Sequence, residues 1–82
     1  MSKASAQKNI IGPRLRQARK SRTPALTQED FVFLLEAYGM KVSQSTISKI
    51  EAQERIVLDY EVKAIGEALA VEIGWLLDEE KL

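Results

Sequence analysis

Apolar residues in this chain recur at three- and four-residue spacing and almost never alternate, so helices are the regular structure its pattern favours. Phe31, Leu34, Leu35 and Tyr38 make one broad apolar face, Ile47 and Ile50 a second, and Val62, Ile65, Ala68 and Leu69 a third. The β-branched pair Ile56-Val57 lies outside these runs and is too short and unpartnered for a strand. Boundary signals agree with the spacing. Pro13 after Gly12 suits the first turn of a helix whose inner face holds Ile11, Leu15 and Ala18, and Thr23-Pro24 marks its end. Thr27-Gln28-Glu29-Asp30 reads as a capping box with the shorter Asp at its third position, opening a second helix that should reach about Tyr38 before Gly39 stops it. Met40-Lys41-Val42 is a short connection, and Ser43 is a good N-cap for a third helix to about Ala52. Asp59 is expected to cap a fourth helix, and Glu72 a short fifth carrying Ile73, Trp75, Leu76 and Leu77. The expectation is an all-α domain of five helices over 10–78, with a flexible arm over 1–9 and a frayed end over 79–82.

Composition narrows the chemistry. At 82 residues there is room for one domain with a thin core. With no cysteine and no histidine, the chain lacks thiolate metal ligands, the cysteine nucleophile and the usual general base, so neither metal nor other cofactor is expected. The adjacent pairs Glu29/Asp30 and Glu79/Glu80 point in different directions on a helix and do not converge as acid and base. Four glycines form no phosphate-cradling motif, and an enzyme is not expected. No apolar run approaches the ~18 residues of a membrane span and no signal-peptide core is visible, which points to a cytoplasmic protein.

Formal net charge is zero, but the charges are segregated. Residues 1–22 carry seven bases and no acid, residues 23–60 sum to −3, and residues 61–82 sum to −4. One positive face on a neutral molecule fits that distribution, and so does a solvated basic tail and first helix. The third helix adds a second asymmetry. Away from Ile47 and Ile50 it carries Gln44, Ser45, Ser48 and Lys49, small or medium donors and acceptors of the kind that bond base edges in a major groove.

The chain holds LTQED at 26–30, STISKIE at 45–51 and AIGEALAV at 64–71, in that order, after the basic stretch Ile11 to Lys20. Together these residues resemble the Cro/repressor-like (XRE-type) helix-turn-helix family of phage and bacterial transcription regulators, over about residues 10–77. The resemblance implies a lambda-repressor-like domain that binds double-stranded DNA, with repression the expected sense of regulation. It implies that Gln44, Ser45, Ser48 and Lys49 read bases from a recognition helix over about 44–52. Gln28 and Arg55 would meet phosphate, Ser43 and Thr46 would meet phosphate or cap the helix, and Arg14 in the basic first helix would add a further phosphate contact. A structural ion pair between Arg19 and Glu51 is also implied. The chain departs from the family pattern in a longer connection before the recognition helix, a longer loop through Thr23-Pro24-Ala25, and Gln53 where a glycine is expected. Trp75, Leu76 and Leu77 would either close the core or supply a homodimer surface. A protein-binding module, such as the antitoxin partner of a small toxin, is the alternative, and the acidic half from residue 61 onward would suit a basic partner.

Overall fold

The computed structural model describes residues 7–78, which form five helices and no strand. These are α1 (Gly12–Ser21), α2 (Gln28–Glu36), α3 (Gln44–Glu51), α4 (Asp59–Leu69) and α5 (Ile73–Leu76). The all-α architecture expected from the apolar spacing is the one that forms. The expected frayed end over 79–82, and residues 1–6 of the expected arm, lie outside the described residues. No helix among the described residues is long and apolar enough to cross a membrane.

One core serves all five helices. Its fully buried side chains are Ile11 and Leu15 at α1, Phe31 and Leu35 on α2, Ile47 and Ile50 on α3, Ile65 on α4 and Leu76 on α5. Each truncation to alanine here should cost about 2–5 kcal/mol. Among the described residues no buried side-chain polar atom lacks a hydrogen-bond partner, as a small stable core requires. Leu76, considered from sequence as a dimer residue, is fully inside, while Trp75 and Leu77 are partly buried. The core-closing role weighed for Leu76 is therefore the one its burial fits.

Helix starts follow their local chemistry. Thr27 Oγ1 accepts from Asp30 N–H and Asp30 Oδ2 accepts from Thr27 N–H, both at 3.0 Å, which completes the capping box. Ser43 Oγ accepts from Thr46 N–H at 3.2 Å and starts α3. At α4 the expected cap shifts by one residue: Leu58 is the N-cap and Asp59 is the first helical position. Leu58 has no side-chain acceptor to offer the first helical N–H groups, so only the other half of a capping box forms: its own N–H donates to Glu61 Oε1 at 3.0 Å. Glu72 does occupy the N-cap of α5, with no side-chain cap bond.

Three helices end in the same way. After α2, Gly39 N–H donates to Glu36 O and Met40 N–H to Leu35 O. After α3, Gln53 N–H donates to Ile50 O and Glu54 N–H to Lys49 O. After α4, Ala70 N–H donates to Glu67 O and Val71 N–H to Gly66 O. These are paired 5→2 and 6→1 bonds of the Schellman type, which need a left-handed residue at the turn. Gly39, Gln53 and Ala70 have φ of +88°, +64° and +58°. The last bonds of α2 tighten, so Tyr38 falls in the turn rather than on the helix and is exposed.

The expected arm is anchored where it meets α1. Asn9 Nδ2 donates to Ile50 O at 3.1 Å and to Arg55 O at 2.9 Å, and Asn9 Oδ1 accepts from Gly12 N–H at 2.9 Å. Lys8 N–H donates to Gln53 O and Gln53 Nε2 donates to Asn9 O. Residues 8–9 therefore clamp the start of α1 to the end of α3. Gly12 allows that closeness: a Cβ there would strike Ile50 O and stand 2.8 Å from Glu51 O.

Candidate nucleic-acid interface

With Ile47 and Ile50 in the core, helical geometry turns Gln44, Ser45, Ser48 and Lys49 outward together, and all four are exposed. Thr46 lies at the border and is partly buried. Ser43 and Thr46 are joined by their hydroxyls at 3.2 Å, and Ser43 is also the helix cap, so both serve the start of α3.

Behind this face runs a chain of hydrogen bonds. Arg19 Nε donates to Glu51 Oε2 at 2.8 Å and Arg19 Nη2 to Glu51 Oε1 at 3.0 Å, a bidentate pair whose side chains are only 8% and 6% exposed. Arg19 Nη1 donates to Leu26 O at 2.7 Å. Gln28 Nε2 donates to Glu51 Oε1 at 3.1 Å, and Gln44 Nε2 donates to Gln28 Oε1 at 3.3 Å. The chain has a fixed direction. A carboxylate only accepts, so Gln28 must give Glu51 its NH2 and turn its carbonyl to Gln44. Gln44 then spends one N–H inward and keeps its other N–H and its carbonyl for a ligand.

Other expected contacts are committed within the molecule. Gln28, expected at phosphate, bridges α2 to α3 in the unliganded chain and is partly buried. Arg14 Nη1 donates to Trp75 O at 3.0 Å, Nη2 to Asp78 Oδ1 at 2.7 Å, and the guanidinium lies 4.7 Å from the Trp75 ring centre. It fastens α1 to the α5 region, where the +7 stretch meets the acidic end of the chain. Arg55 donates to both carboxylate oxygens of Glu61, at 3.0 and 3.1 Å, and to Ile56 O at 3.0 Å. Hydrogen bonding to Glu61 raises the Arg55 pKa above its ordinary value. The same bond from Arg55, outweighing burial, holds the Glu61 carboxyl below its usual range.

Two features of this surface were not foreseen from sequence. Phe33 is 74% exposed on α2 and lines a shallow hollow with Glu29, Val32 and Gln44, directly beside the α3 face. Its spacing from Phe31, on the opposite side of the apolar stripe, was the available signal. Asn9 had no local signal at all, because its partners stand 41 and 46 residues away. No family model, curated protein or solved structure matches the chain.

Proposed function

We propose that the chain is a sequence-specific double-stranded DNA-binding regulator of the helix-turn-helix type, with a lambda-repressor-like fold and α3 as the recognition helix. The observation that carries this is the directed chain from Arg19 through Glu51 and Gln28 to Gln44. An ordinary solvated helix has no use for a pre-oriented exposed amide, whereas base reading does. The remaining N–H and carbonyl of Gln44 match adenine, which presents N7 as acceptor and its amino group as donor in the major groove. Ser45, Ser48 and Lys49 extend the reading face along the helix. Lys49 suits guanine O6 and N7. Bases on α1 and the exposed Lys41 before α3 supply phosphate attraction, and Arg55 does so only after sharing its charge with Glu61. Each well-made base contact contributes roughly 1–3 kcal/mol of discrimination.

The test is selection of bound duplexes from a random pool with the parent chain and Gln44→Ala. The expected result is an enriched site in the parent and loss of preference at an adenine position in the variant, with other positions kept. A uniform fall in affinity on every sequence would remove Gln44 from base reading. A second reading, a protein-binding module, is favoured by the exposed apolar side chains of Phe33, Ile56 and Tyr60, and it predicts no enriched site in the parent.

A further inference from the structure

Both tyrosines of the chain border one pocket. Tyr38, in the turn after α2, and Tyr60, at the start of α4, line a space of about 450 Å³ between the connection into α3 and α4. Tyr60, Lys63, Ala64 and Glu67 recur at helical spacing, so a single face of α4 makes one wall, and residues 38–42 make the other. The volume lies within the range of small-molecule sites. Met40 and Ala64 are only 6% and 7% exposed and give the pocket an apolar floor, while Tyr38 and Tyr60 stand 45% and 68% exposed at its sides. Both walls are pre-formed. Met40 N–H is tied to Leu35 O at 3.1 Å, and the bidentate Arg55–Glu61 pair fixes the side next to α4.

We propose that this pocket binds a small aromatic anion, a single ring that carries one carboxylate or phosphate group. The charges select the sign. Three bases, Lys41, Arg55 and Lys63, line the pocket against two acids, Glu61 and Glu67. Both acids are already answered from within it. Arg55 donates to both oxygens of Glu61, and Lys63 Nζ donates to Glu67 Oε2 at 3.2 Å. Lys41 is the remainder. Among the described residues its one ion pair is with Glu36, outside the pocket, at 3.9 Å and too long for a hydrogen bond. An anion therefore gains an uncommitted ammonium with three donors, whereas a cationic ligand meets a surplus positive charge.

The apolar lining selects the ring. Tyrosine faces take a planar aromatic ligand by offset stacking or edge contact, and Met40 and Ala64 gain apolar contact beneath it. A bare inorganic anion uses none of these surfaces. That separates this site from the phosphate attraction assigned above to Lys41, which needs charge alone. A few placed polar groups on an apolar lining are the usual make-up of a small-ligand site.

Amide chemical-shift titration of the isotope-labelled full chain without DNA tests this, with benzoate, phenyl phosphate, inorganic phosphate and benzyl alcohol as the probes. Benzoate or phenyl phosphate should shift residues 38–42 and 60–67 saturably, with a dissociation constant on the order of 1 mM for a probe of this size. Whichever saturates at the lower concentration identifies carboxylate or phosphate as the group held. Inorganic phosphate, which lacks the ring, and benzyl alcohol, which lacks the charge, should each bind at least about tenfold more weakly. Lys41→Met and Tyr60→Ala should each raise the dissociation constant of the better probe by at least about threefold. Both side chains are exposed, so far-UV circular dichroism of the two variants should match the parent. Inorganic phosphate binding as well as phenyl phosphate, benzyl alcohol binding as well as benzoate, or saturable shifts that neither substitution weakens would each overturn the proposal, as would no saturable shift with any probe. These titrations contain no DNA, so their outcome is independent of duplex selection.

Discussion

Replacing Glu51 by alanine strands a guanidinium in the core. The Arg19 and Glu51 side chains are 8% and 6% exposed, so water cannot take over from the lost carboxylate. Arg19 keeps only its bond to Leu26 O, and Gln28 loses the acceptor that orients it. Removing one member of a buried ion pair costs about 3–5 kcal/mol. A domain of this length has about 4–12 kcal/mol of stability in all, so a large share is lost. At about 4–8 °C per kcal/mol, the melting temperature should fall by roughly 12–40 °C. The double replacement Arg19→Met with Glu51→Leu removes both charges together. It should recover to within about 2–3 kcal/mol of the parent, because the pair's attraction mostly offsets its own desolvation and what is missed is the Gln28 bond to Glu51 and the Arg19 bond to Leu26 O. Thermal melts of the parent, Arg19→Met, Glu51→Leu and the double variant close the cycle, with Glu51→Ala as the truncation. If Glu51→Ala melts within about 4 °C of the parent, the pair is solvated in solution and the account of how α1 holds α3 fails.

Further outcomes follow from other parts of the fold. Arg55 keeps the Glu61 carboxyl ionised below its ordinary range, so its stabilisation is complete above the unfolded value of about 4.3 and disappears as pH falls through the lower folded value. Urea midpoints for Glu61→Gln should therefore be lower than the parent's at pH 7 and converge with them in acid; a constant gap at every pH would contradict this. Ala70→Gly should stabilise by about 1 kcal/mol, since the exposed alanine sits at φ +58° and lends no side-chain bond. Gln53→Gly at φ +64° should gain less or nothing, because Gln53 Nε2 holds Asn9 O at 3.0 Å; equal gains in denaturant unfolding would remove that bond from the account. Arg14→Ala should loosen α5 and shift the emission of Trp75, the chain's single tryptophan, to the red. Unchanged emission would mean that the ring does not depend on the guanidinium.

Local patterns carried most of the helical order. The Thr27–Asp30 box, the Ser43 cap, the Gly39 stop and the inward pair Ile47/Ile50 are each written within a few neighbouring residues, and each forms. What lay beyond sequence was tertiary. Asn9 reads as part of a polar arm, yet it is the hinge pin between α1 and α3, because its partners are two backbone carbonyls more than forty residues away. Arg14 looks like another base on a basic helix until the fold places Asp78 and the Trp75 ring beside it. Gln28 shows the same effect at the candidate site. Its position marks it for phosphate, while the buried carboxylate of Glu51 draws its amide inward and makes it a support for Gln44. Exposed polarity on α3 was legible from its period, but the direction of the amide chain behind it depends on which groups are acceptors only.

The most direct test of the central claim is chemical-shift mapping of the isotope-labelled chain as a mixed-sequence duplex is added at low salt. The proposed interface predicts the largest amide shifts over residues 43–49 and at Gln28, with smaller ones on the exposed bases of α1 and at Lys41. Shifts confined to the N-terminal bases, with residues 43–49 unmoved at saturation, would contradict α3 as the element that enters the groove.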